Sequence, residues 1–304
     1  MLLTLEKLRI SMKWVKRIVI AITCIFLIVV FSAYIYVTQV RSIKLSDAVP
    51  PIDQNREAKV LTAFFGLDKL PLQSLLLYYK AYGKNGMPLI FSQELDPSTI
   101  NTSDFEITTK DGIKHKVEFV TLRPAEEEFE LRTLLFIGEY GTHPENPPIL
   151  VKVVGDLFSR SGHNYKGQSV PVIPLPDGPT ISYAEHFIID DDYPYVESGR
   201  GCDCPKEETS LVVRTVWAGG VRALNGTELG DAELEAFTVQ MIKDEDTIRV
   251  KPFKLADLGD NDNNIDLCLK ESGIPILIEA EANIAIDPRD DPNPSTKSRV
   301  FSRW

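Results

Sequence analysis

The chain has 304 residues, 43% hydrophobic and 25% charged, with a formal net charge of −11. Residues 1–41 hold six Lys/Arg against one acid, net +5, which leaves −16 for the remainder. A remainder this acidic repels phosphate, which excludes nucleic acid and anionic lipid surfaces as its partners, and its field attracts cations.

The first element is Ile18 to Val37, twenty residues without a charge. A helix of that length, rising about 1.5 Å per residue, crosses a hydrocarbon core of about 30 Å. Lys7, Arg9, Lys13, Lys16 and Arg17 precede it, while only Arg41 and Lys44 follow closely. This asymmetry predicts a cytoplasmic segment over 1–17, a transmembrane helix over 18–37, and a body that is periplasmic or extracellular. The other reading is a signal peptide cleaved on export, with Met12 as its start. The apolar run is longer than a signal core, and Phe31-Ser32-Ala33 places a bulky residue where cleavage needs a small one. Residues 38–58, with Pro50-Pro51, read as a linker.

The body begins with the apolar stretch Lys59 to Lys80, interrupted by Pro71, which predicts an entry strand and a short helix. Strands are predicted at 88–92, 104–109, 117–122, 131–137 and 149–154. Lys110-Asp111-Gly112 makes a hairpin turn, and Glu94 to Ile100 is a turn rich in strand-stopping residues. Gly155 to Pro179 is turn-rich and reads as the last strands of this domain or the joint to the next. Further strands are predicted at 181–189, 211–217, 236–242, 247–253 and 274–278, with a hairpin at Asn225-Gly226. Short strands at this spacing, without helical periodicity between them, predict a mainly β fold of antiparallel sandwiches. The segment 291–304 is polar and contains proline, and reads as a loose tail.

The run Met87 to Gly112 (MPLIFSQELDPSTINTSDFEITTKDG) resembles the opening strands of bacterial immunoglobulin-like (Big-type) domains. In these a strand ending in Phe-Ser leads to an acidic Asp-Pro turn, then Asp-Phe and an alternating strand to a glycine turn. Glu130 to Gly138, Val153 to Asp156 and Val212 to Gly220 resemble segments of exported bacterial proteins that contain such domains. The resemblance implies export and an immunoglobulin-like β-sandwich over 59–179, followed by a second β-domain over 180–290. It carries no catalytic residue across.

Cys202, Cys204 and Cys268 lie in the body, where an oxidising compartment favours a disulfide to Cys268 over a soft-metal site, because one residue between paired thiolates is too tight for zinc. The resembling sequences imply that Cys204, which precedes Pro205, is the paired cysteine, leaving Cys202 as the odd thiol. The acidic stretch Asp257 to Asp266 offers oxygen ligands at alternate positions. Taking Asp260 as position 1 places Asp262, Asn264, Asp266 and Glu271 at positions 3, 5, 7 and 12 of a calcium loop. Ile265 stands where such loops need glycine, so the competing reading is a solvated polar turn.

No nucleophile elbow, phosphate loop or zinc-protease helix is present, and His115, His143, His163 and His186 are scattered. Two functions follow. The first is a membrane-anchored, non-catalytic binding or structural module with a protein or carbohydrate ligand. The second is a polysaccharide hydrolase or lyase using carboxylates of the second domain, with Tyr183, Tyr193, Tyr195 and Trp217 as a sugar-binding face.

Overall fold

The computed structural model describes residues 2–39, 57–127, 129–189, 202–257, 259 and 262–303. It contains two compact units, Met1–Lys44 and Leu45–Trp304.

In the first unit, α1 (Leu2–Gln39) contains no glycine or proline to interrupt its hydrogen-bond ladder. The charged approach to the apolar run is helical too, so the helix begins well before Ile18. Trp14–Ser32 has a mean hydropathy of 2.4 and none of it is buried. Thr23 donates its hydroxyl to the Val19 carbonyl at 2.9 Å, so this polar side chain needs no outside partner. The segment is long and apolar enough to cross a membrane, a criterion that an N-terminal signal sequence meets equally.

The second unit is almost entirely β. Its first sheet is made of β1 (Val60–Phe64), β2 (Asn85–Phe91), β3 (Phe105–Thr109), β4 (Lys114–Lys116), β5 (Phe119–Thr121), β6 (Thr133–Gly138), β7 (Pro148–Val153) and β8 (Ser169–Ile173). These lie in the order β4-β3-β7-β8-β1-β2-β6-β5. Every pairing is antiparallel except β1 with β8. The remaining strands are β9 (Ile181–Phe187), β10 (Leu211–Trp217), β11 (Arg222–Ala223), β12 (Phe237–Lys243), β13 (Asp246–Val250), β14 (Lys254–Ala256), β15 (Asn264–Leu269), β16 (Ile274–Ala280), β17 (Ala285–Ile286) and β18 (Thr296–Ser302). β11 and β17 pair with each other; the other eight form a sheet in the order β13-β12-β16-β18-β9-β10-β15-β14. Numbered by rank within each half, both curled sheets read 4-3-7-8-1-2-6-5, and in both the first and last strands are the parallel pair.

Local chemistry accounts for individual strands. β3 buries Phe105, Ile107 and Thr109 and turns Glu106 and Thr108 outward, the period-2 pattern of a sheet with one wet face. Gly112, at φ 84°, closes the β3–β4 turn, and the Asp111 carboxylate accepts from the Ile113 amide at 3.0 Å. Pro88 sits in β2 opposite Leu135 of β6, just past Leu89, where the pairing of β2 with β1 ends. Its missing N–H therefore removes no bond to β1. All seven residues of β10 are buried. Val213 and Trp217 point into a core with Phe237, Leu267 and Ile278, while Val212 packs beside Cys204 and Cys268.

Two expectations are corrected. The segment 291–304 is not a loose tail, because β18 lies within the second sheet between β16 and β9. Thr296 and Val300 are buried, and the Arg303 side chain just beyond them bonds to Glu94 and to the Phe129 carbonyl. The stretch after Asn263 is likewise not a solvated turn: β15 is an interior strand, paired on both sides by β10 and β14, with all six residues buried. The 155–179 region supplies β8, the last strand of the first sheet. Of the linker, residues 40–56 lie outside the described residues, as do Tyr193 and Tyr195.

Because β18 completes two ladders, deleting residues 296–304 is expected to abolish cooperative unfolding of the body, rather than leave the melting temperature unchanged as loss of a loose tail would. Differential scanning calorimetry of the truncated and full chains checks this.

Candidate functional site

The polar chemistry of the body gathers where the two sheets meet. Arg160, Glu94, Arg303, Glu185 and Arg132 form an alternating chain, with Arg160–Glu94 at 3.0 Å, Glu94–Arg303 at 3.0 Å, Arg303–Glu185 at 3.1 Å and Glu185–Arg132 at 2.9 Å. Arg160, Glu94 and Arg132 come from the first half, Arg303 and Glu185 from the second. The Arg132 guanidinium also lies 4.4 Å from the Tyr183 ring centre and donates to the Ser92 carbonyl at 3.0 Å. Burial, the largest single influence, lowers the affinity of Arg132 for its proton, but Glu185, Tyr183, Glu94 and Tyr165 together outweigh it and the net shift is upward.

Beside this chain lies a more acidic group centred on Arg214 of β10, which is fully buried. Its guanidinium meets Asp266, its cross-strand partner on β15, through two bonds of 2.7 and 2.8 Å. It also meets Glu130 of the first half at 2.7 Å and Asp257 at 3.3 Å. Glu127, Glu130 and Asp262 place carboxylate oxygens within 4.8 Å of one another, with Glu130 and Asp262 buried and Glu127 half-buried. The Glu130 carboxyl is held well above its usual range by burial, against the pull of Arg214 and with further upward pressure from Asp257, Asp262 and Glu127. The Asp262 carboxylate accepts from both the backbone amide and the side-chain amide of Asn264, each at 2.6 Å.

Two backbone outliers frame this group. Phe129 adopts φ 73° and Asp257 φ 63°. The left-handed region is rare for a bulky aromatic and costs about 1–3 kcal/mol. Arg303 holds Phe129 there: its guanidinium lies 4.2 Å from the ring centre and donates to the Phe129 carbonyl at 2.8 Å.

A cavity of about 150 Å³ opens between the halves next to Asp262, walled by Phe64, Leu70, Leu135 and Pro288, with Arg123 on its polar side. Arg123 donates from Nε to Glu126 at 2.8 Å, while its buried Nη2 has no hydrogen-bond partner among the described residues. A Cβ added to Gly219, on the cavity wall, would approach Phe64 Cδ1 to 3.0 Å.

The structure separates the residues of the expected calcium loop. Asp260 lies outside the described residues. Asp262 and Asn264 stay together, but Asp266 is engaged by Arg214, and Glu271 follows the far end of β15. An extended strand advances about 3.3 Å per residue, so it carries Glu271 away from Asp262 instead of wrapping it around an ion. Glu127 and Glu130, which the structure adds to Asp262, are 135 and 132 residues earlier in the chain. The one sequence signal there is the acidic run Glu126 to Glu130, whose spacing has no periodic meaning.

The Cys204 and Cys268 sulfurs are bonded, with Cα atoms 5.6 Å apart. Cys202 is free and buried, and burial holds its thiol far above the usual range, with the neighbouring Asp266 charge adding to the shift. Tyr183 and Trp217 are 2% and 0% exposed, which removes them from any sugar-binding face.

No protein-family model and no curated protein matches the chain. Among solved structures, the N-terminal part of the bacterial S-layer protein SbsC is similar at 11% identity and a TM-score of 0.24, over 70% of this chain and 44% of that one. A structure describing Dscam isoform specificity is similar at 9% identity and a TM-score of 0.18, over 82% of this chain and 73% of that one. At these TM-scores neither carries an argument.

Arg214→Met is expected to destabilise the body by about 3–5 kcal/mol, because it leaves Glu130, Asp257 and Asp266 buried around an apolar side chain. Urea unfolding of the variant and parent reads the difference as a lower midpoint at unchanged slope.

Proposed function

We propose that the chain is a membrane-anchored, exported ectodomain acting as a non-catalytic binding or structural module at the cell surface or in the periplasm. Both β halves are read as immunoglobulin-like. The observation that carries this reading is the shared strand order. Lettering the eight strands of each half A, B, C, C′, D, E, F and G turns that order into C′CFG joined to ABED, the strand sets of immunoglobulin-type sandwiches.

Other features support it. The apolar Trp14–Ser32 segment near the N-terminus supplies an anchor, or an export signal if cleaved. A body that keeps a disulfide suits an oxidising compartment. Exposed Leu72, Leu75, Leu76, Tyr79 and Tyr82 after β1 offer the apolar and aromatic surface that protein contacts use. The junction carboxylates are committed to arginines or lie beside a cavity of about 150 Å³ with mainly apolar walls, which disfavours the hydrolase alternative.

Protease added outside intact cells or spheroplasts is expected to remove the whole body and leave the segment before Ile18 protected; protection of residues beyond Lys44 sinks the orientation. The purified chain is expected to release no new reducing ends from bacterial polysaccharides. Release that Asp262→Asn abolishes would replace the module by the enzyme.

A further inference from the structure

We infer that Glu127, Glu130, Asp262 and the side-chain oxygen of Asn264 form a binding site for a hard divalent cation of the calcium class. The site joins the loop between β5 and β6 to the turn that leads into β15. This goes beyond the module reading, since it depends only on the junction geometry.

The first observation is spacing. The three carboxylate oxygens lie within 4.8 Å of one another. Calcium holds oxygens at about 2.3–2.6 Å, so two ligands on opposite sides of one ion stand about 4.6–5.2 Å apart. The cluster is the width that one ion spans.

The second observation does not depend on the acids. Asn264 is 3% exposed, and its Oδ1 is buried without a hydrogen-bond partner among the described residues. Buried amide oxygens nearly always accept a bond. The Nδ2 of the same amide is 2.6 Å from Asp262 Oδ2, so the side chain that carries the orphan oxygen touches the carboxylate cluster. A neutral amide oxygen is a common calcium ligand, and an ion would give this one its partner. Glu130 presents the same need in another form: Arg214 occupies Oε1 at 2.7 Å, while Oε2 is buried and accepts no hydrogen bond among the described residues.

The donor set selects the ion. All four ligands are oxygens, three of them from carboxyl groups, which suits a hard cation and disfavours soft ones. Access is open too, because Glu127 is half-buried and Asp262 borders the cavity. Two ligands come from each half, so the ion would act as a clamp across the junction, coupling its binding to the stability of the interface.

The test uses the full chain in detergent, stripped with a chelator and titrated with calcium chloride, followed by melting temperature and by equilibrium dialysis. Millimolar calcium is expected to raise the melting temperature by several degrees, with about one ion bound per chain at the millimolar concentrations of extracellular sites. Glu127→Gln, whose side chain is half-buried, is expected to keep the ion-free melting temperature and weaken the calcium response at least tenfold; Asp262→Asn is expected to lose the response. No bound calcium and no shift at about 10 mM overturns the site, as does a response that survives both substitutions. Should Asp262→Asn fail to fold, Glu127→Gln alone decides.

Discussion

The buried chain of charge from Arg160 through Glu94, Arg303 and Glu185 to Arg132 fixes one sheet against the other. Each interior member stands between two opposite charges, and the side chains are at most 6% exposed. A buried ion loses most of its hydration, and the mutual attraction recovers that loss only when geometry is good and remaining donors are met. Here Arg132 Nη2 donates to both Glu185 oxygens at 2.9 and 3.1 Å and Nη1 donates to the Ser92 carbonyl at 3.0 Å, while Nε is buried with no hydrogen-bond partner among the described residues. What such a chain supplies is registration. An apolar interface of similar area tolerates sliding, whereas a planar guanidinium such as that of Arg303, held between Glu94 and Glu185, does not. Removing one member strands its neighbours at about 3–5 kcal/mol, while replacing the whole set with packed apolar residues can be neutral.

Strand order explains why the charges can meet there. In each half the first and last strands are parallel neighbours, so the chain enters a sheet at one end and leaves it at the other. The second half therefore starts where the first one finishes, and only residues 174–180 separate β8 from β9. So short a connection leaves the sheets little choice but to abut, and whatever side chains face each other must be matched. The same closure brings Arg303, directly after β18, back beside Glu94 of the first half. The same order is realised in two halves with different loops, one carrying the extra β11–β17 pair.

β15 concentrates the consequences on one strand. Ile265, Leu267 and Leu269 enter the core of the second half. The alternate residues point the other way, and each meets a partner there. Asn264 bonds Asp262, Asp266 holds Arg214, and Cys268 forms the disulfide. The disulfide joins β15 to the segment before β10 and packs with Phe129 and Phe187, the rings that also lie against Arg303. It closes a loop of 64 residues, worth about 4 kcal/mol by chain entropy, and so anchors the wall on which the Arg214 group rests.

That strand also shows where the sequence can be read and where it cannot. The N-terminal helix is legible from length, absence of charge and flanking lysines and arginines. β3, β7, β10, β12 and β16 are legible because their buried faces are apolar, and the β3–β4 turn because Asp111-Gly112 names its own geometry. β15 and β18 escape for one shared reason. Hydrophobic periodicity assumes that the inward side of a strand is apolar, and these strands send Asn264, Asp266 and Thr296 inward, with Arg303 just beyond β18. A polar residue facing a buried partner writes the same letters as one facing water. The acidic stretch is visible for the same reason that it misleads: its charge density marks Asp262 and Asn264, but ligands counted along one segment replace those the fold supplies across about 130 residues. Glu130 and Asp262 meet only because two sheets of one strand order are held in one register, so the candidate site is a property of the junction and of no local motif.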